Sequence, residues 1–321
     1  MKVAIIGRGF GEYAMKPAFE AQGWTVEIVP SRDAGAVAAA CASDADLISI
    51  HSPPFQHREH VLAAVAAGKH VLCDKPFGLN GAEAREMRDA AAAAGVLHFL
   101  NFEFRHNAGR IKVQQLIDSG TIGTLGHVSH TGFAGYMRRR KHGWLNDASL
   151  GGGWLGALGS HLIDVLRWHF ASEIADCGGM ARLDVPVRSD GEGGEVTGTA
   201  EDAYALWFTL ANGGTAAIDV ASAAAAGLPS RAVFLGSEGT IEMLDETTLT
   251  LLRPGAEPET FDCSAAPGDP AWPAVYSWIG AVGAAIAERR QITPGFDDGV
   301  ATAEVMDLLK ARMVRPGAGV V

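Results

Sequence analysis

The apolar positions of this chain first come in short continuous runs, separated by longer stretches with helical spacing. Residues 2–6 form the first run; it meets glycine, and a helical pattern follows to about residue 22. Thr25 to Val29 is a second run, closed by Pro30, Ser31, Arg32 and Asp33. An alanine-rich helix precedes a third run, Leu47 to Ile50, and the loop His51-Ser52-Pro53-Pro54 follows it. A helix over roughly 57–67 leads into a fourth run at His70 to Cys73. A further helix over roughly 81–94 and a fifth run at 97–101 complete the series. Apolar runs alternating with helices of about ten or more residues predict a parallel, doubly wound sheet.

After about residue 123 the rhythm changes. Residues 127–134 alternate as a half-buried strand does, and a helical stretch from Trp154 to Phe170 follows Gly151-Gly152-Gly153. Ala203 to Leu210 and Thr215 to Val220 read as strands joined at Asn212-Gly213-Gly214, a hairpin signal. Further strands are predicted at 231–236, 239–244 and 247–252, and a final helix from Asp297 to Arg312. Residues 187–199 read as a loop. Strands linked by tight turns predict a mostly antiparallel sheet with one face covered. The expected organisation is therefore an α/β domain over residues 1–123 and an α+β domain over 124–321.

Composition narrows the class. The 321 residues suffice for two cores, and 48% apolar with 20% charged is ordinary for a soluble globular protein. A net charge of −11 argues against a general nucleic-acid surface. The cysteines at 41, 73, 177 and 263 show no paired spacing and read as reduced thiols of a cytoplasmic protein. The first apolar run is too short for a signal peptide, and no run approaches the roughly 18 residues of a membrane span. His51, His57 and His60 match no zinc spacing, so no metal is expected.

The turn Gly7-Arg8-Gly9-Phe10-Gly11 follows a strand and opens a helix, the context a dinucleotide fingerprint requires. Gly7 permits the tight turn, and Gly9 lets the backbone approach a pyrophosphate at the positive end of the helix. The pattern departs from GxGxxG, because the third glycine is Gly11 and Glu12 follows it. An ordinary glycine turn is the plainer alternative. At the end of the second strand, Ser31 and Arg32 stand where an NAD enzyme places a carboxylate. A guanidinium and a hydroxyl suit a 2′-phosphate, which favours NADP over NAD. The other reading leaves Arg32 solvated and gives the ribose to Asp33.

The fourth strand ends abruptly in Asp74-Lys75-Pro76. Strand ends of a parallel sheet open on the ligand crevice, so Lys75 is expected to face a small molecule rather than snorkel to solvent. Further on, His161 precedes Asp164 by three residues, which places both on one helix face. An imidazole titrates near neutrality and suits general acid–base work, with Asp164 to orient it.

Together these motifs resemble the glucose–fructose oxidoreductase, inositol dehydrogenase and MocA family. They are the glycine turn, Ser52-Pro53-Pro54, Cys73-Asp74-Lys75-Pro76, Asn101-Phe102-Glu103-Phe104-Arg105, the block from Gly151 to Asp164, and Gly295-Phe296-Asp297-Asp298-Gly299. The resemblance spans essentially the whole chain. It implies a Rossmann domain followed by an α+β domain whose large, mostly antiparallel open sheet mediates a homo-oligomer, dimer or tetramer. It implies hydride transfer between NAD(P) and a sugar, sugar acid, cyclitol or related polyol. By the same resemblance Lys75 contacts the substrate hydroxyl and the nicotinamide region, with Asp74 standing for the family's glutamate. His51, Ser52, Pro53, His57 and Pro76 flank the cofactor, and Arg8 and Phe10 belong to its turn. His161 and Asp164 carry the acid–base chemistry, but the first aspartate of the family motif is Ala157 here. Glu103, Arg105 and Trp144 are candidate substrate contacts. The run Arg138-Arg139-Arg140-Lys141 before Trp144 reads as a solvated loop or as attraction for an anionic substrate. Two other readings remain open: a non-catalytic NADP-sensing regulator on this scaffold, and a lyase or hydrolase using bound nicotinamide transiently.

Overall fold

The apolar runs become strands where the pattern predicts them. In the computed structural model, which describes residues 1–315, the chain opens as β1 (Lys2–Ile6), α1 (Lys16–Ala21), β2 (Thr25–Val29), α2 (Ala34–Ala42) and β3 (Leu47–Ile50). It continues through α3 (His57–Ala66), β4 (His70–Cys73), α4 (Gly81–Ala94), β5 (His98–Leu100) and α5 (Ala108–Asp118). Then come β6 (Leu125–Phe133), α6 (Ser160–Phe170), β7 (Ile174–Arg182), β8 (Val187–Ser189), β9 (Glu195–Thr197), β10 (Ala203–Leu210) and β11 (Thr215–Ala221). The last elements are β12 (Arg231–Gly236), β13 (Thr240–Leu244), β14 (Thr248–Leu252), β15 (Glu259–Asp262), α7 (Pro273–Glu288) and α8 (Phe296–Arg312). Met1–His106 with Gly268–Glu304 form one compact unit; Asn107–Pro267 with the described residues from Val305 form a second.

In the first unit five strands pair in parallel in the order β2-β1-β3-β4-β5. Parallel pairs need long crossovers, and each link carries a helix. Side chains alternate between two cores. Val3, Ile5, Leu47, Leu72 and Phe99 meet Phe19 and, from late in the chain, Trp278 of α7. Ala4, Ile6, Ile50 and Val71 meet Val61, Met87 and Phe296 on the other face. Each such fully buried aliphatic or aromatic side chain contributes about 1.5–3 kcal/mol, so burial on both faces explains the continuous apolar runs. Helix ends follow local rules: the Asn80 side chain accepts from the Glu83 amide at the start of α4, and Gly95 ends it at φ +65°.

In the second unit eight strands run β15-β14-β13-β12-β6-β11-β10-β7, antiparallel except for the β6–β11 pair. Period-two alternation gives the sheet two different faces. On β10, Tyr204, Leu206 and Phe208 are buried while Trp207 is 46% exposed. Leu162, Val165 and Leu166 of α6 cover the buried face opposite Val128, Ile218 and Phe234. Arg110 of α5 is held there by Glu246, with N–O distances of 2.6 and 2.7 Å.

Residues 187–199 are not the structureless loop their composition suggests. β8 and β9 pair as an antiparallel hairpin, and the Asp190 carboxylate accepts the amides of Glu192 and Gly194 in its turn. Arg188 anchors the hairpin through a buried ion pair with Asp202 at 3.2 Å. Among the described residues no helix is long and apolar enough to cross a membrane.

Candidate active site

The order of the parallel sheet reverses between β1 and β3, which opens a crevice at their carboxyl ends. The glycine turn lies there. Gly7 has φ +113°, and a Cβ on it would stand 2.5 Å from the His51 carbonyl oxygen, so only glycine fits. Gly11 is closed by Ile5 and the His51 side chain. Gly9 differs: a Cβ there would meet nothing within 4 Å. No atom of the first unit explains glycine at that position, whereas a ligand lying against the backbone would. The turn runs through a π-helical segment, Gly11–Met15, into α1, and Arg8 and Gly9 are exposed with Phe10 half-buried. An exposed backbone turn opening a helix fits a pyrophosphate.

At the end of β2 the Ser31 carbonyl accepts from the Gln56 side chain at 3.0 Å, and Arg32 is exposed. Asp33 is engaged as the N-cap of α2, its carboxylate accepting from the Ala36 amide at 3.0 Å.

The ends of β3, β4 and β5 meet at one carboxylate. Asp74 Oδ1 accepts the Lys75 amide at 2.9 Å and the Asn101 side chain at 3.3 Å. Asp74 Oδ2 lies 3.2 Å from His51 Nδ1. Burial pushes this carboxyl up, but the hydrogen bond with His51 and the charge of Lys75 outweigh it and hold it well below the usual carboxylate range. Lys75 is half-buried, and its peptide bond to Pro76 is cis. The His57 ring nitrogens lie 2.7 Å from the Ser52 carbonyl oxygen and 3.0 Å from that of Pro76. Ser52 Oγ lies 3.0 Å from His60 Nδ1. His57 thus ties the Ser52–Pro53 loop to the segment holding Lys75. The rings of His51 and His57 are buried within the unit.

Glu103 and Arg105 occupy one 3₁₀ turn, Glu103–His106. Arg105 donates to Asp298 at 2.8 Å, with both side chains largely buried. That bond links the residues after β5 to the first turn of α8.

In the second unit, the helical stretch from Trp154 opens as a π-helical turn, Leu155–Gly159, before α6 begins. π-turns often mark functional sites. His161 is 3% exposed, and Asp164 is fully buried with its carboxylate 3.8 Å from Arg167. The Ala157 amide donates to the Gly153 carbonyl at 3.1 Å. Glu201 gave no signal in the sequence, yet its carboxylate accepts the Leu155 amide at 3.1 Å and caps this turn. Burial pushes the Glu201 carboxyl up. A Cβ on Gly153, at φ +116°, would overlap the Glu201 carboxylate.

Trp154 meets the 55%-exposed Tyr136 edge to face, with ring centroids 5.1 Å apart. Trp144 lies in a short 3₁₀ turn, Trp144–Asn146. Of the basic run, Arg138 donates to the Ala223 carbonyl at 3.0 Å, and Arg139, Arg140 and Lys141 are exposed.

Residues 37–102 match the model of an oxidoreductase family with an NAD-binding Rossmann fold, and residues 111–242 match the GFO/IDH/MocA C-terminal domain. The chain is 31% identical over 263 residues to an uncharacterized oxidoreductase of Synechocystis sp., covering 75% of this chain and 71% of that one. It is 26% identical over 303 residues to the levoglucosan dehydrogenase of Pseudarthrobacter phenanthrenivorans, covering 83% and 77%. A solved levoglucosan dehydrogenase in complex with NADH and levoglucosan shares the fold at TM-score 0.85 and 20% identity, over 97% of this chain and 96% of that one. Fold and matches define an enzyme of the dehydrogenase and reductase class. The chain belongs to the GFO/IDH/MocA oxidoreductase family.

Proposed function

We propose that this protein oxidises a CH–OH group of a sugar, sugar acid, cyclitol or related polyol, or reduces the matching ketone, with a nicotinamide cofactor. The observation that carries the reading is Lys75, half-buried at the carboxyl end of β4 with its backbone held by the Asp74 carboxylate. A bound nicotinamide supplies or accepts the hydride. The Lys75 cation stabilises negative charge on the reacting oxygen, an effect strongest where the cation is already in place. His161 exchanges the proton of that oxygen, and Asp164 supports His161 electrostatically. With Ala157 one turn before His161, this chain works without a carboxylate at that place.

Gly7, Gly9 and Gly11 hold the pyrophosphate, with Arg8 and Phe10 flanking it. NADP is the favoured cofactor: Arg32 is exposed beside Ser31, and the Asp33 carboxylate is occupied as a helix cap. The named sugar dehydrogenase among the relatives supports the substrate class. Glu103, Arg105 and Trp144 remain candidate substrate contacts.

A homo-oligomer, dimer or tetramer, forms through the open face of the second unit's sheet. There Trp207 and Met180 are 46% and 45% exposed beside a groove of about 670 Å³. Four thiols, three of them buried, support a reducing compartment such as the cytoplasm.

A panel of sugars, sugar acids and cyclitols with NADP and NAD, read by reduced-nicotinamide absorbance, tests the reading. Turnover with NADP preferred is expected. Nucleotide binding without turnover would replace it with a sensor, and substrate loss without net absorbance change with a lyase or hydrolase.

A further inference from the structure

Ser49, His51 and Asp74 form a hydrogen-bonded chain that ends at Lys75. Ser49 Oγ lies 2.8 Å from His51 Nε2, and His51 Nδ1 lies 3.2 Å from Asp74 Oδ2. The other carboxylate oxygen accepts the Lys75 amide at 2.9 Å. Serine, histidine and carboxylate in this order activate a nucleophile in acyl transfer. That use is closed here, because Ser49 is 0% exposed within β3, flanked on both sides by β1 and β4. No substrate reaches its hydroxyl. The chain acts in the opposite direction, toward the lysine.

We propose that His51 is a positioning residue for Lys75, fixing the Asp74 carboxylate so that its second oxygen holds the lysine backbone at the strand end. This rests on the reading of Lys75 as the group that polarises the reacting oxygen. Nδ1–H of His51 donates to the carboxylate and Nε2 accepts the Ser49 hydroxyl, which gives every group in the chain a partner. With the ring so anchored, the carboxylate cannot turn away from the Lys75 amide without breaking a charge-assisted bond. The Asn101 side chain, the Lys75 ammonium and the buried His57 ring face the same carboxylate.

His51 also lies under the glycine turn. Its amide donates to the Ile6 carbonyl at 2.7 Å, and a Cβ on Gly11 would stand 3.4 Å from the His51 Cβ. Its side-chain exposure is 0%. One buried residue therefore touches both the turn proposed to hold the nucleotide and the carboxylate that holds the lysine.

Two amide substitutions separate the two bonds of the ring. An asparagine amide falls near Nδ1 and can still donate to Asp74; a glutamine amide reaches toward Nε2 and Ser49. In His51→Ala, kcat is expected to fall about 10- to 100-fold, as for a group misplaced by a fraction of an ångström. His51→Asn restores most of the loss, and His51→Gln behaves as His51→Ala. Parent-like kcat in His51→Ala, rescue by Gln, or no rescue by Asn would each overturn the proposal.

A second readout needs no turnover. In the parent protein labelled with 15N-histidine, with His51 assigned by its loss in His51→Asn, Nδ1 is expected to carry the proton. A proton on Nε2 alone would overturn the proposal. Absence of turnover in the parent would instead remove the dehydrogenase reading and leave this hydrogen-bond assignment standing.

Discussion

A methyl group on Gly7 would lie 2.5 Å from the His51 carbonyl oxygen, whereas one on Gly9 would meet no atom within 4 Å. The two glycines of one turn are thus there for different reasons, and alanine separates them. Gly7→Ala is expected to cost at least about 2 kcal/mol, since φ +113° and the carbonyl contact both oppose a side chain. Gly9→Ala should leave thermal stability near that of the parent and raise the Kd for NADPH about tenfold or more. Denaturant unfolding and fluorescence titration read the two effects. Parent-like NADPH binding in Gly9→Ala would mean that the turn does not cradle the nucleotide.

Arg110 makes a second kind of prediction. Its side chain is 3% exposed and Glu246 supplies two N–O contacts, 2.6 and 2.7 Å. Removing the carboxylate leaves a buried guanidinium uncompensated, so Glu246→Ala should destabilise by about 3 kcal/mol. Replacing both partners, as Arg110→Met with Glu246→Leu, should cost less than the single change. Urea unfolding of the three proteins measures this, and a double variant worse than Glu246→Ala would contradict the account.

Stability should also depend on pH with a definite sign. Burial first and the Arg110 charge second lower the His130 pKa to about 3; burial and then Arg105 lower that of His106 to about 4. In the unfolded chain both titrate near 6.5. Between those limits the unfolded chain binds protons that the folded chain does not. The stabilising contribution is therefore complete above about pH 6.5 and is lost on acidification, by about 1.4 kcal/mol per pH unit for each group. The Asp74 carboxyl, also lowered, adds its loss only below about pH 4, where the unfolded aspartate takes up its proton. Urea midpoints at pH 7, 6 and 5 should fall steadily, and less steeply in His130→Gln. Flat midpoints from pH 7 to 5 would contradict this.

What the sequence disclosed follows from burial. β1 to β5 were legible because strands covered on both faces read as unbroken apolar runs. β10 to β14 were legible from alternation and from Asn212-Gly213 at the hairpin. β7 was not, because Gly178 and Gly179 read as turn residues. In the sheet they make room instead: a Cβ on Gly178 would press on the Trp207 ring at 2.8 Å. α7 was hidden for a similar reason, since Trp272-Pro273 reads as a loop although proline suits a first helical turn.

In the candidate site, Gly7, Lys75 and His161 stood out by residue type and position. Asp74 and His51 were named there too, but not the bond between them. His51 and Asp74 are 23 positions apart and meet only because β3 and β4 are neighbours. Glu201 carries no motif, and only the fold delivers its carboxylate to the Leu155 amide.

The central claim is that Lys75 acts on the reacting oxygen and not in holding the cofactor. Steady-state kcat of Lys75→Ala, measured beside its NADPH dissociation constant, tests this most directly. The account predicts a loss in kcat of about 100- to 1000-fold with NADPH affinity within about threefold of the parent. Undiminished kcat in that variant would contradict it.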